Sequence, residues 1–264
     1  MTERPPGRVT AAVEGIGERV YGMVQELGAV STLLFRVVAG AVRRPFEFGN
    51  IIKQMEEVGV RSIPVVLVTA TFTGMVLALQ SFSGFERFGA TSLVGTVVAL
   101  SITRELGPVF AGLMVSGRVG ASMAAELGTM KVTEQIDALV TLATDPVKYL
   151  VVPRVIAATF VLPVLVVFAD FVGILGGYFV AVHVMGANPH VYVAKTYQYL
   201  EFRDIYTGLV KAAVFGSLIS LISCHQGFVA RGGAEGVGRA TTRAVVTSSM
   251  MVLVSDYFMT SLMF

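Results

Sequence analysis

The chain alternates long apolar runs with short polar breaks, and five of the runs are long enough to cross a bilayer. A helix rises 1.5 Å per residue, so roughly 20 apolar residues cover about 30 Å of hydrocarbon. The runs lie near 63–83, 92–117, 150–183, 205–226 and 241–264. The third is over-long and holds Pro163, which predicts a tilted or kinked span. Ahead of the first, residues 9–42 repeat Val13, Ile16, Val20, Met23, Leu27, Val30 and Leu34 at helical spacing, with Glu14, Glu18 and Gln25 opposite. That segment is too charged to span, so its pattern predicts an interfacial helix. The expected fold is an all-α integral membrane protein. Residues 1–62 form a cytoplasmic, interfacial N-terminal region, and residues 63–264 form a five-span domain.

Composition sharpens this picture. The chain is 54% hydrophobic and only 14% charged, well below the quarter typical of soluble domains. The net charge of +2 matters less than its distribution. With the N-terminus inside, the inner segments 1–62, 118–154 and 227–243 hold 8, 4 and 3 Lys/Arg. The outer loops, 84–91 and 184–204, hold only Arg87, Lys195 and Arg203. The positive-inside rule then places the N-terminus in the cytoplasm and the C-terminus on the far side. The first eight residues are polar and no short apolar core with a cleavage site follows, so no signal peptide is expected. Small-residue ladders (Gly112, Ser116, Gly120; Gly117, Ala121, Ala125; Gly173, Gly177) mark helix contacts. Five spans enclose little, so a symmetric homodimer is expected.

Charge inside the spans is the first functional signal. Arg104 and Glu105 fall mid-way along the second span, Asp256 at a matching depth in the fifth, and Lys211 in the fourth. Each would cost at least ~2.5 kcal/mol unpaired, and such groups usually mark a polar cavity. A shared network of Arg104, Glu105, Asp256 and Lys211 is expected; Asp170, mid-way along the third span, has no evident partner.

Enzyme chemistry finds little support. His183, His190 and His225 lack metal-ligand spacing, and no nucleophile elbow is present. A single cysteine, Cys224, excludes disulfides and a Cys-based zinc site, and its apolar run predicts an inert packed thiol. Gly233-Ala-Glu-Gly-Val-Gly238-Arg239 has Arg where a phosphate loop needs Lys, and no strand precedes it; it reads as a flexible cytoplasmic loop. No cofactor is expected on this chain. Between the second and third spans, residues 131–143 place Val132, Ile136, Leu139 and Val140 at helical spacing beside Glu134, Gln135 and Asp137. A short amphipathic helix there suits docking into a groove on a soluble partner.

Five strings, TGMVLALQ (73–80), VALSITRELGPV (98–109), GRVGASMAAELGTMKVTEQIDAL (117–139), DPVKYLVVPR (145–154) and GRATTRAVV (238–246), resemble the MlaE/YrbE permease family of Mce-type ABC lipid transporters. The likeness runs from about residue 60 to the C-terminus. It implies an inner-membrane homodimer of five-span subunits that binds two cytoplasmic ABC ATPases, which hold the ATP. The helix after the second span would make that contact, at the positions that here are Glu126, Gly128, Met130, Glu134, Gln135 and Ala138. It implies a periplasmic ring of Mce-domain proteins, a phospholipid substrate, an optional small cytoplasmic STAS-type subunit and no nucleic acid. In Mla systems the outcome is maintained outer-membrane lipid asymmetry.

The family's cavity charges map onto Arg104, Glu105, Lys211, Arg243 and Asp256, and its lipid-contacting surface onto Leu77, Phe82, Phe85 and Phe88. The last four have a physical case of their own. LALQSFSGFERF sets three Phe and Leu77 where the first span leaves the bilayer, without the Trp and Tyr of an interfacial belt, so an apolar chamber is expected. A proton-coupled carrier using Glu105 and Asp256 is the rival reading, although no internal repeat of the kind such carriers show is found.

Overall fold

The computed structural model describes residues 8–43 and 47–263, and the elements among them are helical. In chain order they are α1 (Arg8–Val42), α2 (Phe48–Val58), α3 (Ile63–Glu86), α4 (Thr91–Val132), α5 (Gln135–Thr141), α6 (Val147–Val184), α7 (Pro189–Tyr199), α8 (Phe202–Phe228) and α9 (Gly233–Met263). Helices α3, α4, α6, α8 and α9 carry the five apolar runs, each extended beyond its expected limits. By length and composition, Val24–Val42 within α1 is also apolar enough to cross a membrane, which makes six such helices.

Long helix α6 is the central post. Helices α3 and α8 pack along it, α2 lies across its first half, and α4 and α9 pack on α8. Close approach explains part of the glycine content: a Cβ on Gly74 of α3 would collide with the Gly173 carbonyl of α6. The ladder Gly112, Ser116, Gly120 also faces partners. Gly112 meets Phe215 and Val252, Ser116 donates to Val245 O at 3.3 Å, and Gly120 meets Ser223. Gly117, heading the second ladder, faces open space.

Proline shapes both long helices. In α4 the π turn Ile102–Leu106 comes immediately before Gly107-Pro108, and in α6 the π turn Val147–Val151 comes shortly before Pro153. Proline has no N–H and its ring crowds the carbonyl four residues back, and a π turn relieves that crowding locally. Helix α6 nevertheless continues through Pro163.

Two segments differ from expectation. The Gly233–Arg239 stretch is no loop: it forms the first turns of α9, and only residues 229–232 connect α8 to it. The polar stretch 184–204 contains the helix α7, whose Asn188 side chain accepts from His190 N at 3.0 Å and Val191 N at 3.3 Å. Tyr192 of α7 is buried against Tyr178, with ring centroids 5.5 Å apart, and burial pushes its phenol up to about 12.

Helix α1 keeps to one end of the bundle. It packs on α6 and α8, and Gly40 abuts Val152 near the start of α6. Its inward face is Val30, Leu33, Val37 and Ala41, whereas Leu34 points outward. The side chains of Val13, Ile16, Val20, Met23 and Leu27 lie outside the described residues.

Candidate functional site

The intramembrane charges meet where α4 and α8 begin and α9 ends. Pro108 cannot donate to Arg104 O, as an α-helix would require, and Lys211 Nζ fills that place at 3.0 Å. The same ammonium binds Glu105 Oε2 at 2.6 Å, Asp256 Oδ1 at 3.0 Å and Thr260 Oγ1 at 2.7 Å. Lys211 is fully buried, and its three donors are met by four oxygen acceptors from two other helices. Thr260 closes the cluster: its single hydroxyl proton goes to Asp256 O at 2.8 Å, with Glu105 Oε1 3.2 Å away.

The Arg104 side chain takes a different partner from the one expected. Its Nε and Nη2 reach Asp204 Oδ1 at 2.8 and 2.7 Å. Asp204 is simultaneously the capping-box residue of α8, its Oδ2 accepting from Glu201 N at 2.9 Å. The Glu201-Phe-Arg-Asp204 spacing carried that signal in the sequence. Arg243 falls outside the cluster: it is exposed on α9, thirteen residues or about 20 Å before Asp256 at the helical rise.

Asp170 stands apart. It is 7% exposed, and its Oδ1 has no hydrogen-bond partner. It packs against Gly107, where a Cβ would collide with Oδ1. The glycine thus makes room for the carboxyl beside the π turn that carries Arg104 and Glu105.

Apolar grooves open along the exposed side of α3. One, of about 430 Å³, is lined by Leu77, Gly84, Phe85 and Phe88 with Val97 of α4. A second of about the same volume shares Leu77 and Gln80 and continues past Phe72, Leu106 and Phe110. Leu106, which lines this second groove, is next in the chain to Glu105, whose side chain is 36% exposed. Phe88 is 84% exposed. Phe82 is not part of the groove: at 8% exposure it packs with Ala78, Val98 and Tyr192, whereas Leu77 and Phe85 are only partly buried against that cluster and Phe88 lies beyond the end of α3.

At the opposite end of the bundle α4 runs into α5. The expected continuous helix over 131–143 is broken: Thr133 closes α4, and Glu134 adopts a left-handed φ of 59° before α5 starts at Gln135. Lys131 spans the break to Asp137 at 2.9 Å. Ile136 is buried and anchors α5, leaving Glu134, Gln135, Ala138, Val140 and Leu142 exposed. Two positions expected on this surface face inward instead. Gly128 is buried against Ala230 and Val237, and Met130 packs on the core.

Arginines tie this end together. Glu126, half exposed, holds the buried Arg154 of α6 at 2.9 Å. Arg118 of α4 caps the end of α2, donating to Glu57 O at 2.5 Å and to Ser62 Oγ at 2.8 Å. Neither Arg118 nor Arg154 stood out in the sequence, because both sit beside span ends where Lys and Arg are common. Cys224 is buried.

Known proteins resemble this chain along most of its length. The family model "Permease MlaE" matches residues 51–262. A "Probable ABC transporter permease protein" of Rickettsia bellii is 54% identical over 94% of this chain and 96% of its own length. "Protein TRIGALACTOSYLDIACYLGLYCEROL 1, chloroplastic" of Arabidopsis thaliana is 38% identical over 89% of this chain and 67% of its own. The "Intermembrane phospholipid transport system permease protein MlaE" of Haemophilus influenzae is 34% identical over 96% of this chain and 97% of its own. A match across nearly the whole span-bearing region, joined to relatives above half identity over 94% of the chain, means that the chain belongs to the MlaE permease family.

Proposed function

We propose that the chain is the membrane subunit of an ABC transporter for phospholipid, working as a homodimer in the inner membrane with its N-terminus in the cytoplasm. The observation that carries this reading is the pair of apolar grooves along α3 and α4, together with an ion cluster centred on the buried Lys211. Acyl chains suit the groove wall; the charges hold α4, α8 and α9 in register and form a polar floor at Glu105.

No nucleotide site was recognised in the sequence, so the energy comes from ATPase subunits docked on α5. Their closure would shift α5 and the end of α4, and Arg118 and Arg154 would carry that shift into α2 and α6. On the far side, a ring of Mce-domain proteins would pass the lipid across the envelope and so maintain outer-membrane asymmetry. Lys211 pairs with both Glu105 and Asp256, which favours a role in holding the helices together over a proton-coupled cycle.

Reconstituting the complex in vesicles tests this. Phospholipid should transfer to an acceptor with ATP and without a proton gradient, and mass spectrometry should find phospholipid in the purified complex. Transfer that follows the gradient and ignores ATP would favour the carrier; covalently altered lipid would favour an enzyme.

A further inference from the structure

Away from the groove, a cavity of about 320 Å³ opens near the α5 end of the bundle, between α2, the end of α4 and the start of α6. It combines donors (Lys53, Tyr149 and Arg154) with the acceptors Glu57 and Glu126. Lys53 is exposed and enters no ion pair among the described residues. Arg154 is more than nine-tenths buried; it donates to Leu150 O and Glu126, yet its Nε has no acceptor. Glu126 and Glu57 keep 49% and 30% of their side chains exposed beyond their arginine pairs. Next to the cavity, α2 turns Phe48 and Ile52 outward. An apolar face flanking a polar pocket is what an interfacial helix presents at headgroup depth.

We infer that this cavity is a headgroup site for a zwitterionic phospholipid carrying a primary amine, at the opposite end of the protein from the groove. Its phosphate meets Lys53 and Arg154, for which charged oxygens are the best acceptors. Its ammonium meets Glu57 and Glu126. A quaternary ammonium has no N–H to donate to those carboxylates, and an anionic glycerol headgroup brings them no cation. The inference deepens the permease reading, on which it relies only for a bilayer at this end.

The test reads binding rather than transport, so the two can fail separately. Full-length protein with a photo-crosslinking residue at Gln54 is reconstituted in vesicles of phosphatidylethanolamine, phosphatidylcholine or phosphatidylglycerol with matched acyl chains. Crosslinking to phosphatidylethanolamine should exceed the other two by roughly tenfold, the worth of one charge-assisted hydrogen bond. Lys53→Gln and Glu57→Gln should each reduce it by a similar factor, while a second probe at Gly84 in the groove reports that the variants are folded. Equal yields from the three lipids, yields indifferent to both substitutions, or crosslinks to protein alone would overturn the inference. Loss of the lipid signal on adding inorganic phosphate would mark a soluble-anion site and overturn it too.

Discussion

Lys211 shows how a charge is kept inside a bilayer-spanning bundle: every donor has an acceptor, and one acceptor is a backbone carbonyl freed by proline. Removing it would leave Glu105 and Asp256 facing each other in a low-dielectric site. Lys211→Ala should therefore cost about 3–5 kcal/mol, seen as a fall in melting temperature or loss of assembled protein. Arg104→Ala should cost less, since Arg104 is partly exposed, though it would leave the buried Asp204 without its cation. Glycine at 107 is a second residue-level claim. Gly107→Ala would push a methyl group into Asp170 Oδ1 and should destabilise by about 1–3 kcal/mol. Gly238→Ala, with nothing within 4 Å, should be neutral or stabilise by up to about 1 kcal/mol. Thermal unfolding in detergent compares the pair.

Elements divide the work between packing and transport, and α3 shows the division best. Phe82 packs on α4 and α7 side chains, so Phe82→Ala should cost about 3–5 kcal/mol of stability. Leu77 and Phe85 line the groove, so Leu77→Asp or Phe85→Asp should abolish lipid transfer while leaving ATPase binding intact. Normal transfer in both would remove the groove from the account. The α4–α5 break yields a subtler expectation. Glycine carries no penalty in the left-handed conformation, so Glu134→Gly should raise stability by about 1 kcal/mol while weakening partner docking.

The five long helices were legible from apolar run length, and the nearness of Glu105 to Asp256 from their matched depth; Lys211 was legible only as a charge inside the fourth span. Periodicity could not reveal the break at Glu134, because Ile136 keeps helical register with Val132 across it. Nor could it separate Phe82 from Phe85, since α3 is apolar all round and only its neighbours decide which face is core. Arg104 found Asp204 rather than Asp256 because a capping residue at the start of α8 lay nearer than the sequence distance suggested.

At the scale of the whole molecule, two ends are built for different tasks. The end where α3 meets α4 carries grooves and charges; the end with α1, α2 and α5 carries exposed polar surface and arginine latches. The chain's sequence offers no recognisable nucleotide-binding motif, so the account depends on power entering at the second end and being used at the first. Photo-crosslinking from Glu134 in intact membranes, with the crosslinked product identified by mass spectrometry, tests that most directly. The account predicts an adduct with a nucleotide-binding ATPase subunit. Adducts confined to lipid or to this same chain would contradict it.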